Sequence, residues 1–233
     1  MKLLVTSAAS EIGRQVADAL ADDNDLVLTD LPARVGANTG IEPSELGHGD
    51  ETDDLVRGVE AVVHIGFGGQ EGDAAYLIDY HTRRTYNLYA ACLNAGVTKA
   101  FYLSTLRLLG GYEHHLTVTE RWKSLPSTDP EILSVHLGEY VTREFAREAP
   151  ITTTVLRLGF PIVAGTRADA ATTGESAALA TDDMALALRA ALTVHLPKWK
   201  VLHVQSPVEG ARFLMTDAES AIGYPAPSGE AVR

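Results

Sequence analysis

The sequence has one cysteine, Cys92, which by itself excludes an intrachain disulfide framework. Cys92 lies in the helical pattern YNLYAACLNAG, where a small thiol reads as buried packing rather than as a nucleophile. Lysine is nearly as scarce, with only Lys2, Lys99, Lys123, Lys198 and Lys200. With 19 basic against 31 acidic residues the formal charge is −12, so the surface is ill suited to phosphate backbones and nucleic acid is not an expected partner. A lysine-poor acidic surface suits a high-salt cytoplasm and equally fits an ordinary acidic protein from a GC-rich genome. No apolar run approaches the roughly 20 residues that span a bilayer. The opening MKLLVTSAAS is a short apolar run followed by Glu11, which fits a buried first strand better than a signal peptide. A cytoplasmic protein without a membrane partner is expected. His114 and His115 are adjacent but lack a partner at ligand spacing, so no metal site is expected.

What the chain does have is an alternation of two periodicities. Its 45% hydrophobic content and mean hydropathy of +0.01 are those of a folded protein, and 233 residues suffice for one well-buried domain over 1–233. KLLVT, DLVLTD, AVVHIGF, KAFYLST and TTTVLRLG are short apolar runs of strand type. Between them lie helical patterns, including the segment around Ile12, Val16 and Leu20, YLIDYHTRRTYNLYAACLNAG closed by Gly96, and PEILSVHLGEYVTREFAREA. Strands alternating with helices imply right-handed crossovers, hence an α/β fold with a Rossmann-type doubly wound parallel sheet. The portion from about 159 onward would form a smaller substrate side. The stretch from Gly110 to Pro130 shows no period and is long enough to read as a loop over the ligand cleft.

In such sheets ligands bind beyond the carboxyl ends of the strands, where strand order reverses. The first of those ends is TSAASEIG. A dinucleotide-binding turn uses three glycines, for a tight bend, for close approach of a pyrophosphate and for packing of helix on strand. Here Ser7, Ser10 and Gly13 hold those places, so the third role is kept and the first two fall to serine. The amides of Glu11 and Ile12 at the helix start still face a phosphate with the positive end of the helix dipole. Asp30, followed by Leu31, ends the second strand, where a carboxylate accepts hydrogen bonds from the adenosine ribose and repels a 2′-phosphate, favouring NAD over NADP.

These features, together with GDETDDLVRGVEAVVHIGF, NLYAACLNAGVTKAFYLST, LATDDMALALRAAL, VLHVQSP and AIGYPAP, resemble the extended short-chain dehydrogenase/reductases of the NAD-dependent epimerase/dehydratase family, nearest to the uronate and sugar dehydrogenases. The resemblance covers nearly the whole chain and is loosest around 110–130. It implies NAD as cofactor, with Asp50 and Glu51 at the adenine and Ile65, Gly66 and Phe67 beside the dinucleotide, and it implies a sugar-like ligand. It also implies a homodimer formed by the helices of 76–95 and 131–149, with Leu77, Leu88, Leu133, Leu137 and Val141 along the seam.

The catalytic positions depart from that pattern. Family enzymes place a Tyr and, four residues later, a Lys on one helix, with a Ser or Thr from the preceding strand end, so that a phenol of lowered pKa exchanges a proton as hydride moves to the nicotinamide. Thr105 matches the Ser/Thr. Counting back from TTTVLRLG without gaps puts Glu139 on the family's helix glutamate, and Glu131 and Val135 on the Tyr and Lys positions. A rival register uses His136 with Tyr140, or Tyr140 with Glu144, and also lacks the lysine. His81 stands where the family has Asn, and Arg84 where it has Gly. Three functions remain open on this reading. One is a catalytically degenerate NAD-binding protein, one an active sugar or uronate oxidoreductase or epimerase with Glu131, His136 or Tyr140 as an unusual acid or base, and one a structural subunit without nucleotide.

Overall fold

The sheet is built from runs that are apolar on both faces, the signature of strands covered by helices on either side. The computed structural model describes residues 1–37 and 40–225. Seven parallel strands form the main sheet: β1 (Lys2–Val5), β2 (Asp25–Asp30), β3 (Glu42–Pro43), β4 (Ala61–Ile65), β5 (Lys99–Thr105), β6 (Thr152–Leu158) and β9 (Trp199–Val204). Two further short strands, β7 (Ile162–Val163) and β8 (Leu179–Ala180), pair with each other. The main sheet has the order β3-β2-β1-β4-β5-β6-β9, so the chain winds outward one way from β1 and then the other way from β4. The strand order therefore reverses between β1 and β4, and the ligand crevice lies where residues 6–9 and 66–70 leave them.

Alternate residues of each strand feed opposite cores. Leu3, Val5 and Val63 pack under α1 (Glu11–Leu20) and α7 (Thr181–Thr193), with Val16, Leu20, Met184 and Leu188. Leu4 and Val62 pack on the other face, against Leu55 of α2 (Asp50–Leu55) and Leu88 and Tyr89 of α4 (Thr85–Ala95). Cys92 lies in this second core, where burial pushes its thiol up to about 12.

The helix read over 76–96 is in three parts: α3 (Ala74–Asp79), a π-helical turn over Tyr80–Arg84, and α4, closed by Gly96 in the left-handed region at φ 76°. The wider turn allows consecutive Tyr80 and His81 both to be buried, at 1% and 2% exposure. Arg84 closes it from outside, donating to Asp79 Oδ2 (3.0 Å), to the Glu45 carbonyl (2.9 Å) and to the Glu45 carboxylate.

Two expectations are corrected here. Leu77 and Leu88 are buried within the protomer and cannot form a seam, because Leu88 belongs to the core over Leu4 and Leu77 lines the cleft pocket described below. Leu133, Leu137 and Val141 remain half-buried. The irregular segment 110–130 does not line that cleft pocket. Its Val118 pairs with Phe213, Arg212 donates to the carbonyls of Tyr112, Glu113 and Leu116, and its 120–124 portion walls a different cavity. The short helices α6 (Arg167–Thr172) and α8 (Thr216–Ile222) complete the described chain, and the last two residues of AIGYPAP lie outside it. No helix among the described residues is long and apolar enough to cross a membrane.

Candidate functional site

The turn after β1 keeps a glycine's backbone with a serine's side chain. Ser7 has φ 51°, one of two non-glycine residues in the left-handed region among those described, and is fully buried. Holding a side chain there costs about 1 kcal/mol, which only surrounding contacts can offset. Ser10 caps α1, its Oγ donating to the Ser7 carbonyl (2.7 Å) and accepting from the Gly13 amide (2.9 Å). Any Cβ on Gly13 would collide with the Ser7 carbonyl, so this glycine is required for α1 to sit on the turn. The amides of Glu11 and Ile12 belong to the first turn of α1, which leaves them without helical acceptors.

Asp30 is 3% exposed and its carboxylate is already well occupied. Oδ2 accepts from the Ala9 amide (2.9 Å), and Oδ1 accepts from the Leu31 amide (2.7 Å) and from Gln70 Nε2 (2.8 Å). Gln70 Nε2 also donates to Ser7 Oγ (3.0 Å), and its Oε1 accepts from the Tyr76 hydroxyl (2.7 Å). Ser7 Oγ and the Tyr80 hydroxyl lie 2.7 Å apart. Burial pushes Tyr80 up to about 12 and raises Tyr76, so both phenols stay protonated as hydrogen-bond donors. Gln70 is the functional residue the sequence reading missed. It stands in the glycine-rich GFGGQEGD, which carries no periodic signal.

The other expected cofactor contacts are placed as follows. Asp50 and Glu51 are exposed in the first turn of α2, and Glu51 Oε1 accepts from the Glu45 amide (2.9 Å). Ile65 is in the core, the Gly66 amide donates to the Leu103 carbonyl (2.9 Å), and Phe67 stands half-buried at the rim. Neighbouring His64 spans Thr6 Oγ1 (2.8 Å) and Thr85 Oγ1 (2.9 Å), and burial holds it at about 3, hence neutral.

Beyond Gln70 lies a pocket of about 240 Å³ lined by Phe67, His81, Arg107, Glu131, Val135 and Phe160 among others. Helix α5 (Pro130–Glu148) brings Glu131 and Val135 there. Its rotation is set by Glu139, whose buried carboxylate accepts from Arg157 Nε (2.9 Å), Arg157 Nη2 (2.7 Å) and Ser104 Oγ (2.6 Å). Gly138 faces Tyr102, leaving no room for a Cβ. Val135 is 1% exposed and packs with Tyr102 and Val155. Glu131 Oε2 is 4.0 Å from Arg107 Nη1, and the Arg107 guanidinium lies over the rings of Phe67 and Phe160, 5.6 and 4.8 Å from their centroids. His81, held at about 3 by burial, is a neutral imidazole with Nδ1 3.4 Å from the Tyr102 hydroxyl. Thr105 is fully buried, its Oγ1 accepting from the Arg107 amide (3.2 Å).

His136 and Tyr140 lie elsewhere on α5, lining a separate pocket with Arg157. His114 and His115 are exposed, and no three His, Cys, Asp or Glu side chains gather as a metal site among the described residues. None of the five lysines lines the Glu131 pocket. Lys99, Lys198 and Lys200 are engaged by the Leu192 carbonyl, the Ala149 carbonyl and Asp217 respectively. Lys2 begins β1, and Lys123 faces the pocket of His136.

A parallel sheet reversing at β1 and β4, with a capped helix and an acidic second strand end beside the reversal, defines a Rossmann-type dinucleotide-binding protein. The chain belongs to the NAD dependent epimerase/dehydratase family, whose profile matches residues 3–219 and whose cofactor is NAD. A uronate dehydrogenase of Pseudomonas syringae pv. tomato is 23% identical over 162 residues, 68% of this chain, which spans 58% of that enzyme's length. The crystal structure of uronate dehydrogenase from Agrobacterium tumefaciens superposes with a TM-score of 0.81 at 21% identity, covering 96% of this chain and 83% of the other. A mutant of that enzyme complexed with NAD superposes at 0.80, again at 21% identity with 96% and 83% coverage.

The residues at the turn fit the adenosine and pyrophosphate half of that cofactor. Glu11 and Ile12 offer amides, Asp30 offers an acceptor, and the obstacle is Gln70, buried and held by hydrogen bonds to Ser7, Asp30 and Tyr76. Asp30→Ala should weaken NAD binding by about 1–3 kcal/mol, whereas Gln70→Ala, which removes one of the two donors to Asp30 Oδ1 and leaves the carboxylate in place, should bind NAD at least as tightly as the unaltered chain. Calorimetry on both variants checks this, and a Gln70→Ala variant with weaker affinity would contradict it.

Proposed function

We propose that the chain is a NAD-binding member of its family that no longer transfers hydride, and that it acts in the cytoplasm through the bound nucleotide, a sugar-like ligand or a second copy of itself. The observation that carries this reading is Val135. At the position from which a family lysine would act, the side chain is apolar, buried and packed on Tyr102, and no other lysine reaches the pocket. NAD, when bound, supplies a hydride acceptor at its nicotinamide. Proton exchange would have to come from this chain, and the groups at hand are ill suited. His81 is too weak a base near 3, the Tyr102 phenol is raised well above its ordinary value by burial, and the Arg107 guanidinium carries donors and no acceptor. Thr105 orients the turn that carries Arg107.

Glu131 is the one group in the pocket that favours the alternative of an active oxidoreductase or epimerase, since it faces the cavity beside a cation. A screen for NAD reduction with uronates, aldoses and nucleotide sugars, at low and at molar salt, separates the two. The proposal expects no turnover above background, because losing general acid–base catalysis alone removes about 10²–10⁴-fold. Robust turnover abolished by Glu131→Gln would overturn it.

Pairing of two copies through α4 and α5 is part of the same proposal, with Leu133, Leu137 and Val141 as seam and exposed Tyr86 beside them. Light scattering at micromolar concentration should give the mass of a dimer, and a monomer throughout would refute the pairing.

A further inference from the structure

Farther along α5 from Glu131 and Val135 lies a second cavity, of about 460 Å³, between α5, the β6–β9 edge and residues 120–124. It shares no lining residue with the Glu131 pocket. Its composition runs against that of the whole chain. In a protein of formal charge −12 with 19 basic residues, Arg121, Lys123, Arg143 and Arg157 all line this one cavity, with His136 beside them. Both tryptophans of the sequence, Trp122 and Trp199, line it as well, and so does Tyr140.

The two carboxylates in its wall are engaged. Glu139 is held by Arg157 and Ser104, and Glu120 Oε1 accepts from the Asp217 amide (3.0 Å). The cations are freer. Neither Arg121 nor Lys123 has an ion pair or side-chain hydrogen bond among the described residues, and Arg143 reaches Glu144 only at 3.5 Å while lying over the Tyr140 ring. Arg157, with 6% of its side chain exposed, leaves Nη1 without a hydrogen-bond partner, and His136 Nδ1 is buried and equally unpartnered. The charge of Arg157 is balanced by Glu139, but its Nη1 and the buried His136 Nδ1 are polar groups without partners, so the wall retains hydrogen-bonding capacity that a polar ligand would use, beside the unpaired cations Arg121 and Lys123. The cavity is also preformed. Arg157 Nη2 donates to Ser124 Oγ (2.6 Å), the Tyr112 hydroxyl donates to the Lys123 carbonyl (2.8 Å), and Trp122 packs edge-on against Tyr112.

We propose that this cavity is a second ligand site, separate from the dinucleotide cleft, for a small organic anion bearing a sugar or planar ring. Its phosphate or carboxylate group is held by Arg121, Lys123 and Arg143, and its ring lies against the tryptophans. Flat apolar ring faces are what Trp and Tyr offer a ligand, and charge-assisted hydrogen bonds from arginine supply the affinity.

The protein carries its own reporter, because Trp122 and Trp199 are its only tryptophans. Their emission should change saturably when the full chain is titrated with glucose 6-phosphate or with glucuronate, the tighter of the two telling phosphate from carboxylate recognition. Neutral glucose should give no response, and added salt should weaken the two anions. The double variant Arg121→Ala, Lys123→Ala should bind about tenfold more weakly, with an unchanged emission spectrum and Tm in the absence of ligand, since neither side chain bonds to the rest of the protein. Saturating NAD should leave the titration unaffected, which keeps this site distinguishable from the cleft whether or not the cleft binds nucleotide. The proposal is overturned by the absence of a saturable change with either sugar anion, by an equal response to glucose or to inorganic phosphate alone, by undiminished affinity in the double variant, or by displacement with NAD.

Discussion

The rotation of α5 about its own axis is fixed by one buried carboxylate, and both faces of the helix take their meaning from it. Glu139 accepts from the Arg157 guanidinium through two nitrogens and from the Ser104 hydroxyl, deep between β5 and β6. Removing two charges from water is expensive, and such a pair is sustained only by close geometry and further hydrogen bonds, which Ser104 and Ser124 provide. Gly138 adds a steric lock, since Tyr102 fills the space of a side chain there. Held in this way, α5 turns Glu131 and Val135 toward the cleft and His136, Tyr140 and Arg143 toward the second cavity. The side chain that α5 presents to the cleft at position 135 is therefore an apolar one, and the cation of that pocket is Arg107.

The cleft itself is closed by its own side chains. In place of two glycines the turn has serines, and Ser7 uses its hydroxyl to join Tyr80 and Gln70 in a chain of hydrogen bonds that ends on Asp30. The left-handed conformation of Ser7 is the strained element of this arrangement, and the bonds made by its Oγ are the contacts that hold it. The Asp30 carboxylate is thus kept satisfied inside the protein, and on the proposed function a nucleotide ribose would compete with Gln70 for it.

Much of this was legible in the sequence, for identifiable reasons. The strands from KLLVT to TTTVLRLG are largely buried and carry apolar stretches bounded by polar residues, which is what made them readable as strands, and Asp30 stands at the end of the second of them. What escaped is what periodicity cannot encode. The π turn at Tyr80–Arg84 interrupts the helix read over 76–96, and the residues YHTRR carry no local signal of it. The strands β7 and β8 have two residues each, too few for any pattern. Gln70 acts from a loop whose only local signal is glycine, and its partners Ser7, Asp30 and Tyr76 are brought together by the fold alone. The cavity beside Trp122 likewise joins residues 120–124 to Trp199, a contact of the tertiary structure that the spacing of neither segment announces.

The proposed function divides the cleft into an adenosine and pyrophosphate half that would still receive its ligand and a nicotinamide half that would have lost its chemistry. Calorimetry comparing NAD with ADP-ribose, which lacks the nicotinamide, measures that division directly. Affinities equal within about threefold are predicted, since Val135, Glu131 and the Arg107–Phe160 stack provide nothing built to hold the missing ring. NAD binding tighter than ADP-ribose by about tenfold or more, some 1.4 kcal/mol, would contradict the account by showing that the nicotinamide half remains a working site.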